Sequence, residues 1–369
     1  GLEVATFEGG LRGMRARRSV KEGEDLLCVP DELALRIVGE TPGYPKSLDG
    51  IVSAHVWKDL PWFAKLALLI IREQRLANTS ASSKESKRKD WVEVLPKSFD
   101  TPLHWPTEQL EALKYVPMID AVNAQKTQWR MTHDKIKGST KGAPTEMEFV
   151  HACELARSRA FSGPYTSPLP KDQFFLLGIL ITCSIQFHLM SDASAIAGGV
   201  LGVAGLLFQS LGLPRVLNID HFVISPIIDM VNHNGKEASE VTYAPFQRSF
   251  VVIASRDYKA GDQVYISYGK RSNDQLLQFY GFVEKGNPHD VYQIDRFVPR
   301  VRERLPTVTA DDVMAARDQG YEGGDKAFFT RAGLDEPSMK LVVFLCGGDE
   351  KKAADVVKSI GEEELALID

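Results

Sequence analysis

Apolar positions along the chain change period repeatedly, and each change predicts a different kind of element. Near the N-terminus short β-prone runs alternate with glycine turns: Glu8-Gly9-Gly10, Gly13-Met14-Arg15-Ala16 and Glu22-Gly23-Glu24 precede Leu26-Leu27-Cys28-Val29-Pro30. Such alternation predicts small hairpins. From Asp59 the spacing becomes helical, with Phe63, Leu66, Ala67, Ile70 and Ile71 on one face and Pro61 suited to a first turn. Helical spacing returns over Thr107–Trp129 and Thr145–Phe161. Between these elements, Asn78–Asp90 is polar, Ser-rich and increasingly basic, which predicts a solvated loop.

Residues 173–214 break the pattern, because Asp192 is their only formally charged residue and His188 the other titratable one. Two apolar spans, Phe174–Met190 and Ala195–Leu213, flank Ser191-Asp192-Ala193-Ser194. Each approaches the ~20 residues that cross a hydrocarbon core. Gly198 and Gly202 have the spacing that lets helices approach closely. Gln186, His188 and Gln209 interrupt the spans, so a hairpin buried or docked on protein fits better than a membrane hairpin.

Beyond Pro214 the period returns to that of strands, over Phe222–Ile224, Val241–Tyr243, Phe250–Ala254 and Gln263–Tyr268, punctuated by Pro226, Pro245 and Gly261. After Pro299 the chain is charged and helical, as in Asp311–Asp318 and Lys351–Ile360.

With 369 residues, 44% hydrophobic, the chain can bury a sizeable core, as two domains or as one with a large insertion. The balance of 44 Lys+Arg against 49 Asp+Glu gives a net charge of −5, so no nucleic-acid partner is expected. Cys28, Cys153, Cys183 and Cys346 lie far apart without a C-x-x-C pair, which predicts reduced, buried thiols in an intracellular protein and no metal. A start at Gly1 rather than Met predicts a fragment or processed form that has lost any targeting peptide.

Three clusters carry candidate chemistry. Asp229-Met230-Val231-Asn232-His233 follows an apolar segment and ends in a pair able to donate and accept hydrogen bonds. Lys259-Ala260-Gly261-Asp262-Gln263-Val264-Tyr265-Ile266-Ser267-Tyr268-Gly269 sets an acidic turn before a strand ending in tyrosine. Ser272-Asn273-Asp274-Gln275-Leu276-Leu277-Gln278-Phe279-Tyr280-Gly281-Phe282 reads as a short helix delivering two aromatics, which taken singly would be core packing.

Together these motifs resemble the C-terminal half of the SET-domain methyltransferases, and most closely the branch typified by the Rubisco large-subunit lysine methyltransferase. Gly13 to Pro30 resembles that family's first motif, with Met14 where leucine is usual. Trp91-Val92-Glu93-Val94-Leu95-Pro96, Thr101-Pro102-Leu103 and Arg157-Ser158-Arg159-Ala160-Phe161 are similar to its helical insert. The resemblance implies an α+β SET fold of small β-sheets with a threaded C-terminal segment. The SET domain would cover 1–285, with a helical insertion over about 41–215 including the apolar hairpin 173–214. A partial helical substrate-binding-like region would occupy 290–369.

The resemblance further implies S-adenosylmethionine (AdoMet) as cofactor and a lysine side chain of a non-histone protein as acceptor. Glu24 and Leu26 would flank the adenosine, Arg159 would meet the carboxylate, Asp229 would border the site, Asn232 and the His233 backbone would bind the cofactor, and Tyr280 would close over it. Tyr268 would be the catalytic tyrosine and, with Phe161 and Phe282, would line the acceptor channel. In the histidine-directed branch the position of Phe161 is asparagine and that of Ile228 is tryptophan, which favours lysine here. Histone-directed relatives often close the site with cysteine-bound zinc, for which this chain offers only Cys346. A plastid location, with cytoplasm or nucleus as the alternative, and a monomeric state are expected, and membrane contact through 173–214 is the alternative to a hairpin packed on protein; a catalytically inactive binding protein, a protein-histidine methyltransferase and an integral membrane protein are the alternatives for function.

Overall fold

The computed structural model describes residues 1–38, 43–78, 86–163, 179, 181–182, 192–207, 221–239, 241–244, 247–321 and 326–368. The chain forms two compact units, one of Gly1–Ser98 with Arg130–Tyr268 and one of Phe99–Trp129 with Gly269–Asp369.

In the first unit the strands are, in chain order, β1 (Leu2–Thr6), β2 (Arg12–Ala16), β3 (Asp25–Pro30), β4 (Leu35–Val38), β5 (Phe161–Gly163), β6 (His221–Ile224), β7 (Asn232–His233), β8 (Val241–Ala244), β9 (Ser249–Ile253) and β10 (Gln263–Ile266). They make three small sheets of order β1-β2-β10-β7, β3-β9-β8 and β4-β6-β5. Their inward residues, among them Met14, Ala16, Leu26, Val29, Val223, Val231, Phe250, Val252 and Val264, form one core. Burying each larger side chain stabilises by about 1.5–3 kcal/mol. β10 pairs antiparallel with β2 but parallel with β7, setting Tyr265 opposite Asn232 and Ile266 opposite His233. The shortest strand of the unit is thereby hydrogen-bonded into a sheet by a partner far along the chain.

The helical period near residue 63 becomes helix Trp62–Ala77, which buries Phe63, Leu66, Ala67, Ile70 and Ile71. Pro61 stands one residue outside it, as its N-cap. Helix Glu146–Arg159 begins at a capping box in which Thr145 and Glu148 satisfy each other's backbone N–H groups. The continuous helix expected over Thr107–Trp129 is instead two, Thr107–Glu111 and Val116–Lys137, separated by a break where Lys114 takes φ 51°.

The basic end of the polar run is not wholly solvated. Arg88 donates to the carbonyls of Glu32, Leu33 and Ala34, and its other N–H side approaches the buried Glu73 carboxylate at 3.5 Å. Lys89 and Asp90 open a short helix, Lys89–Val94. Charge alone read this segment as loop; the carbonyls and the buried carboxylate that recruit it lie elsewhere in the chain.

The apolar insertion leaves from β5 and returns through β6, whose register sets Phe161 opposite Val223 and Gly163 opposite His221. Phe222 stacks on Trp62 with ring centroids 4.5 Å apart. The expected first span, Phe174–Met190, lies almost wholly outside the described residues. Within the second, Asp192–Leu207 is a helix on which Val200 and Leu201 are exposed. Among the described residues no helix is long and apolar enough to cross a membrane.

The second unit is more than helical. β11 (Tyr292–Asp295), β12 (Lys326–Thr330) and β13 (Gly333–Leu334) form an antiparallel sheet that hydropathy did not predict. It packs with helices Phe297–Arg304, Ala310–Asp318, Glu336–Leu345 and Glu350–Ile368 around Ile294, Phe297, Val301, Ala316, Leu341, Val342 and Ile360. Of the cysteines, Cys153 and Cys346 are buried and free as expected, whereas Cys28 is exposed; Cys183 lies outside the described residues.

Candidate active site

Asn232 and His233 sit where the β7–β10 pairing begins, and three strands meet around them. The Asn232 amide donates to the carbonyl of Arg12 at 3.1 Å. A Cβ at Gly13 would stand 2.5 Å from Asn232 Nδ2 and 2.8 Å from Gln263 Nε2, so only glycine lets this strand approach. Gln263 Nε2 is buried without a hydrogen-bond partner, while its oxygen accepts from the Tyr265 hydroxyl.

Beyond the end of β10, Tyr268 folds back onto the same motif. Its backbone N–H donates to His233 Nδ1 at 3.0 Å and its hydroxyl donates to the Val231 carbonyl at 2.9 Å. With its proton engaged by a carbonyl, the phenol oxygen is left as an acceptor. The expected catalytic tyrosine and the expected cofactor-binding Asn-His pair are thus brought together.

Asp229 and Arg159 meet each other at the edge of this cluster. Arg159 Nη1 donates to Asp229 Oδ2 at 2.8 Å and to the Asp229 carbonyl at 3.0 Å. The Asp229 side chain is fully buried and that of Arg159 is 12% exposed. Trp91 completes the junction, its indole N–H reaching the same Oδ2 at 3.0 Å. The turn carrying Asp229, Ile228–Met230, follows Ile227 at φ 75°, a conformation that a β-branched side chain strongly disfavours.

Phe161 packs edge-on against Phe250, with centroids 5.6 Å apart, at the rim of the first core. Ile228 is buried. Glu24 immediately precedes β3 and Leu26 lies on it. The Glu24 carboxylate accepts from Arg18 and from the Lys21 backbone N–H, which together hold it below the usual carboxylate range, the backbone bond contributing most. Leu26 is a core side chain. The backbone that the structure sets against Asn232 is that of Arg12 and Gly13, which sequence reasoning left out of the site; the glycine before Met14 was the available signal.

Tyr280 and Phe282 belong to the second unit. Helix Asn273–Tyr280, capped by the Ser272 hydroxyl, ends at Gly281 with φ 78°. A Cβ there would lie 2.7 Å from the Asp100 carbonyl, so glycine turns the chain and leaves the two rings edge to face, 6.2 Å apart. In the first turn of that helix Asp274 is pushed up to about 6, mainly by burial.

Comparison with known proteins gives a consistent result. The family described as the SET domain matches residues 11–269. The large-subunit N-methyltransferase of ribulose-1,5-bisphosphate carboxylase/oxygenase from Nicotiana tabacum, a chloroplastic protein, is 24% identical over 76% of this chain and 47% of its own length. Actin-histidine N-methyltransferase of Drosophila melanogaster is 26% identical over 80% of this chain and 48% of its own. The chain therefore spans about half the length of these curated relatives. A solved structure of Rubisco LSMT bound to AdoMet superposes with a TM-score of 0.55 over 97% of this chain and 70% of that one, at 18% identity.

Proposed function

Because this chain belongs to the SET-domain family, matched over residues 11–269, we propose that it is an AdoMet-dependent protein-lysine N-methyltransferase acting on a non-histone protein. The observation that carries this reading is the closure of Tyr268 onto the Asn232-His233 motif through the His233 ring and the Val231 carbonyl.

The site residues fit the cofactor. Gln263 Nε2 and Arg159 Nε are buried and have no protein partner, so each could serve a bound group. Asn232, the His233 backbone and Arg159 would hold AdoMet, with Arg159 toward its carboxylate. When bound, it supplies a methyl group made electrophilic by sulfonium charge. The chain's residues have mainly to align an uncharged amine with that methyl, because alignment removes most of the barrier an in-line displacement leaves. An acceptor channel lined by Phe161 and Tyr268 would disfavour the ammonium form by desolvation. The Tyr268 oxygen, as an acceptor, orients the incoming amine or the polarised methyl.

Histidine as acceptor is the second reading, supported by the actin-histidine N-methyltransferase relatives; Phe161 and Ile228 favour lysine. We assign a plastid location from the chloroplastic relatives and membrane contact from the exposed apolar residues of helix Asp192–Leu207. The enzyme acts as a monomer. Labelled-methyl transfer from AdoMet into a plastid extract, followed by mass spectrometry of the labelled protein, tests the reading. Methyl on a lysine amine supports it, methyl on imidazole replaces it with the second reading, and cofactor binding without transfer reduces the chain to a binding protein.

A further inference from the structure

The Arg159–Asp229 pair has an unusual gap. A guanidinium and a carboxylate in contact ordinarily close into two parallel hydrogen bonds. Here only Nη1 reaches Oδ2, while Arg159 Nε and Asp229 Oδ1 are both buried and both without a partner. Two groups that could satisfy each other are kept from doing so, although leaving buried polar atoms unpaired is costly.

Trp91 supplies the reason. It is 6% exposed, and its indole N–H donates to the same Oδ2 that Arg159 uses. Its helix follows Arg88, which is tied to three successive carbonyls at Glu32, Leu33 and Ala34, so the indole is held from a fixed base. The carboxylate is caught between indole and guanidinium, with Oδ2 shared by both donors and Oδ1 left over. The left-handed Ile227 that precedes the turn indicates that the Asp229 backbone is held where it would not rest by itself.

We propose that Trp91 is a positioning residue of the cofactor site: by holding Asp229 Oδ2 it keeps the Arg159 guanidinium from closing a second hydrogen bond, Nε to Oδ1, and leaves that donor capacity for the cofactor carboxylate. The inference rests on the proposed function, in which Arg159 meets that carboxylate.

The test uses the full chain and two ligands, AdoMet and decarboxylated AdoMet, titrated by calorimetry into the parent protein and Trp91→Phe. The variant weakens AdoMet about tenfold, raises its KM while leaving kcat within about twofold, and binds the decarboxylated analogue as the parent does. Equal weakening of both ligands, or of neither, overturns the proposal, because a merely structural role cannot distinguish them. Failure of the parent to bind AdoMet overturns the functional reading itself, and this inference with it. If Trp91→Phe does not fold, 3-benzothienylalanine at position 91 makes the same comparison, since it keeps the shape of the indole and replaces its N–H with sulfur.

Discussion

The backbone N–H of Tyr268 donates to His233 Nδ1 at 3.0 Å while the two rings stack with centroids 4.9 Å apart. The hydrogen bond makes Nδ1 an acceptor, so the imidazole is neutral with its proton on Nε2. One side chain thus fixes where the tyrosine backbone turns and which way its ring faces. The hydroxyl is then placed by the Val231 carbonyl, one residue before Asn232.

Tyr268→Phe separates placement from chemistry. The ring stack and backbone bond remain, and only the hydroxyl is lost. Stability falls by about 1 kcal/mol, AdoMet affinity stays within about twofold, and methyl transfer falls about 100-fold, the effect expected of misalignment at the reacting atoms. Single-turnover transfer alongside calorimetric titration checks both parts; equal loss of binding and rate would place the hydroxyl in cofactor binding instead.

Gly13→Ala acts from the other side of Asn232. The added carbon meets the Asn232 amide nitrogen at 2.5 Å, and that amide is held by the Arg12 carbonyl, so it cannot yield freely. Overpacking of this kind costs about 1–3 kcal/mol. A melting curve should show the loss, and AdoMet binding should weaken with it.

Ile227→Gly is expected to stabilise. The wild-type residue occupies φ 75° and is 43% exposed, so little packing is lost when its side chain is removed. Relief of about 1–3 kcal/mol of backbone strain outweighs the ~1 kcal/mol that glycine adds in unfolded-chain entropy. A rise in the melting temperature is the expected readout, and an unchanged or lower one would mean that neighbouring residues have already absorbed the strain.

Two buried groups give stability opposite slopes with pH. His221, an acceptor for Arg36 Nε, is lowered to about 4 by burial and then by the arginine charge. The unfolded chain takes up its proton near 6.5, so stability from this group is lost as pH falls from about 6.5 through 4. Asp274, raised to about 6, behaves in reverse: its contribution is present below the unfolded value near 3.9 and is lost as pH rises through about 6. After screening each is worth about 2 kcal/mol. Urea unfolding between pH 4 and 7 should show Asp274→Asn gaining on the parent as pH rises; a parallel pair of curves would exclude the shift.

Much of this was legible in the sequence where a single period ran long enough. The face of Phe63, Leu66, Ala67, Ile70 and Ile71 and the strand around Val264 follow from spacing, because burial of one face fixes the element, while the strand around Phe250 shows as a short apolar run buried on both faces. β13 holds two residues, too few to show a period. The partners of the site were hidden for a different reason. Asn232 meets Arg12, and Trp91 meets Asp229, across 220 and 138 residues of chain. Side chains whose partners are that remote carry no local pattern, and Trp91 enters the sequence reading only within the motif that resembles the helical insert, with nothing to place its N–H on a carboxylate.

The facing of Gly163 and His221 across β5 and β6 makes the insertion excisable. A loop that departs and returns at cross-strand partners can be replaced by a tight turn without disturbing the register of β4, β6 and β5. Residues 164–220 would then be shortened to a turn of a few residues. The stack of Trp62 on Phe222 lies outside the excised stretch and would still clamp the end of the sheet. A miniaturised chain of this kind would report directly which properties reside in the apolar segment and which belong to the sheets alone.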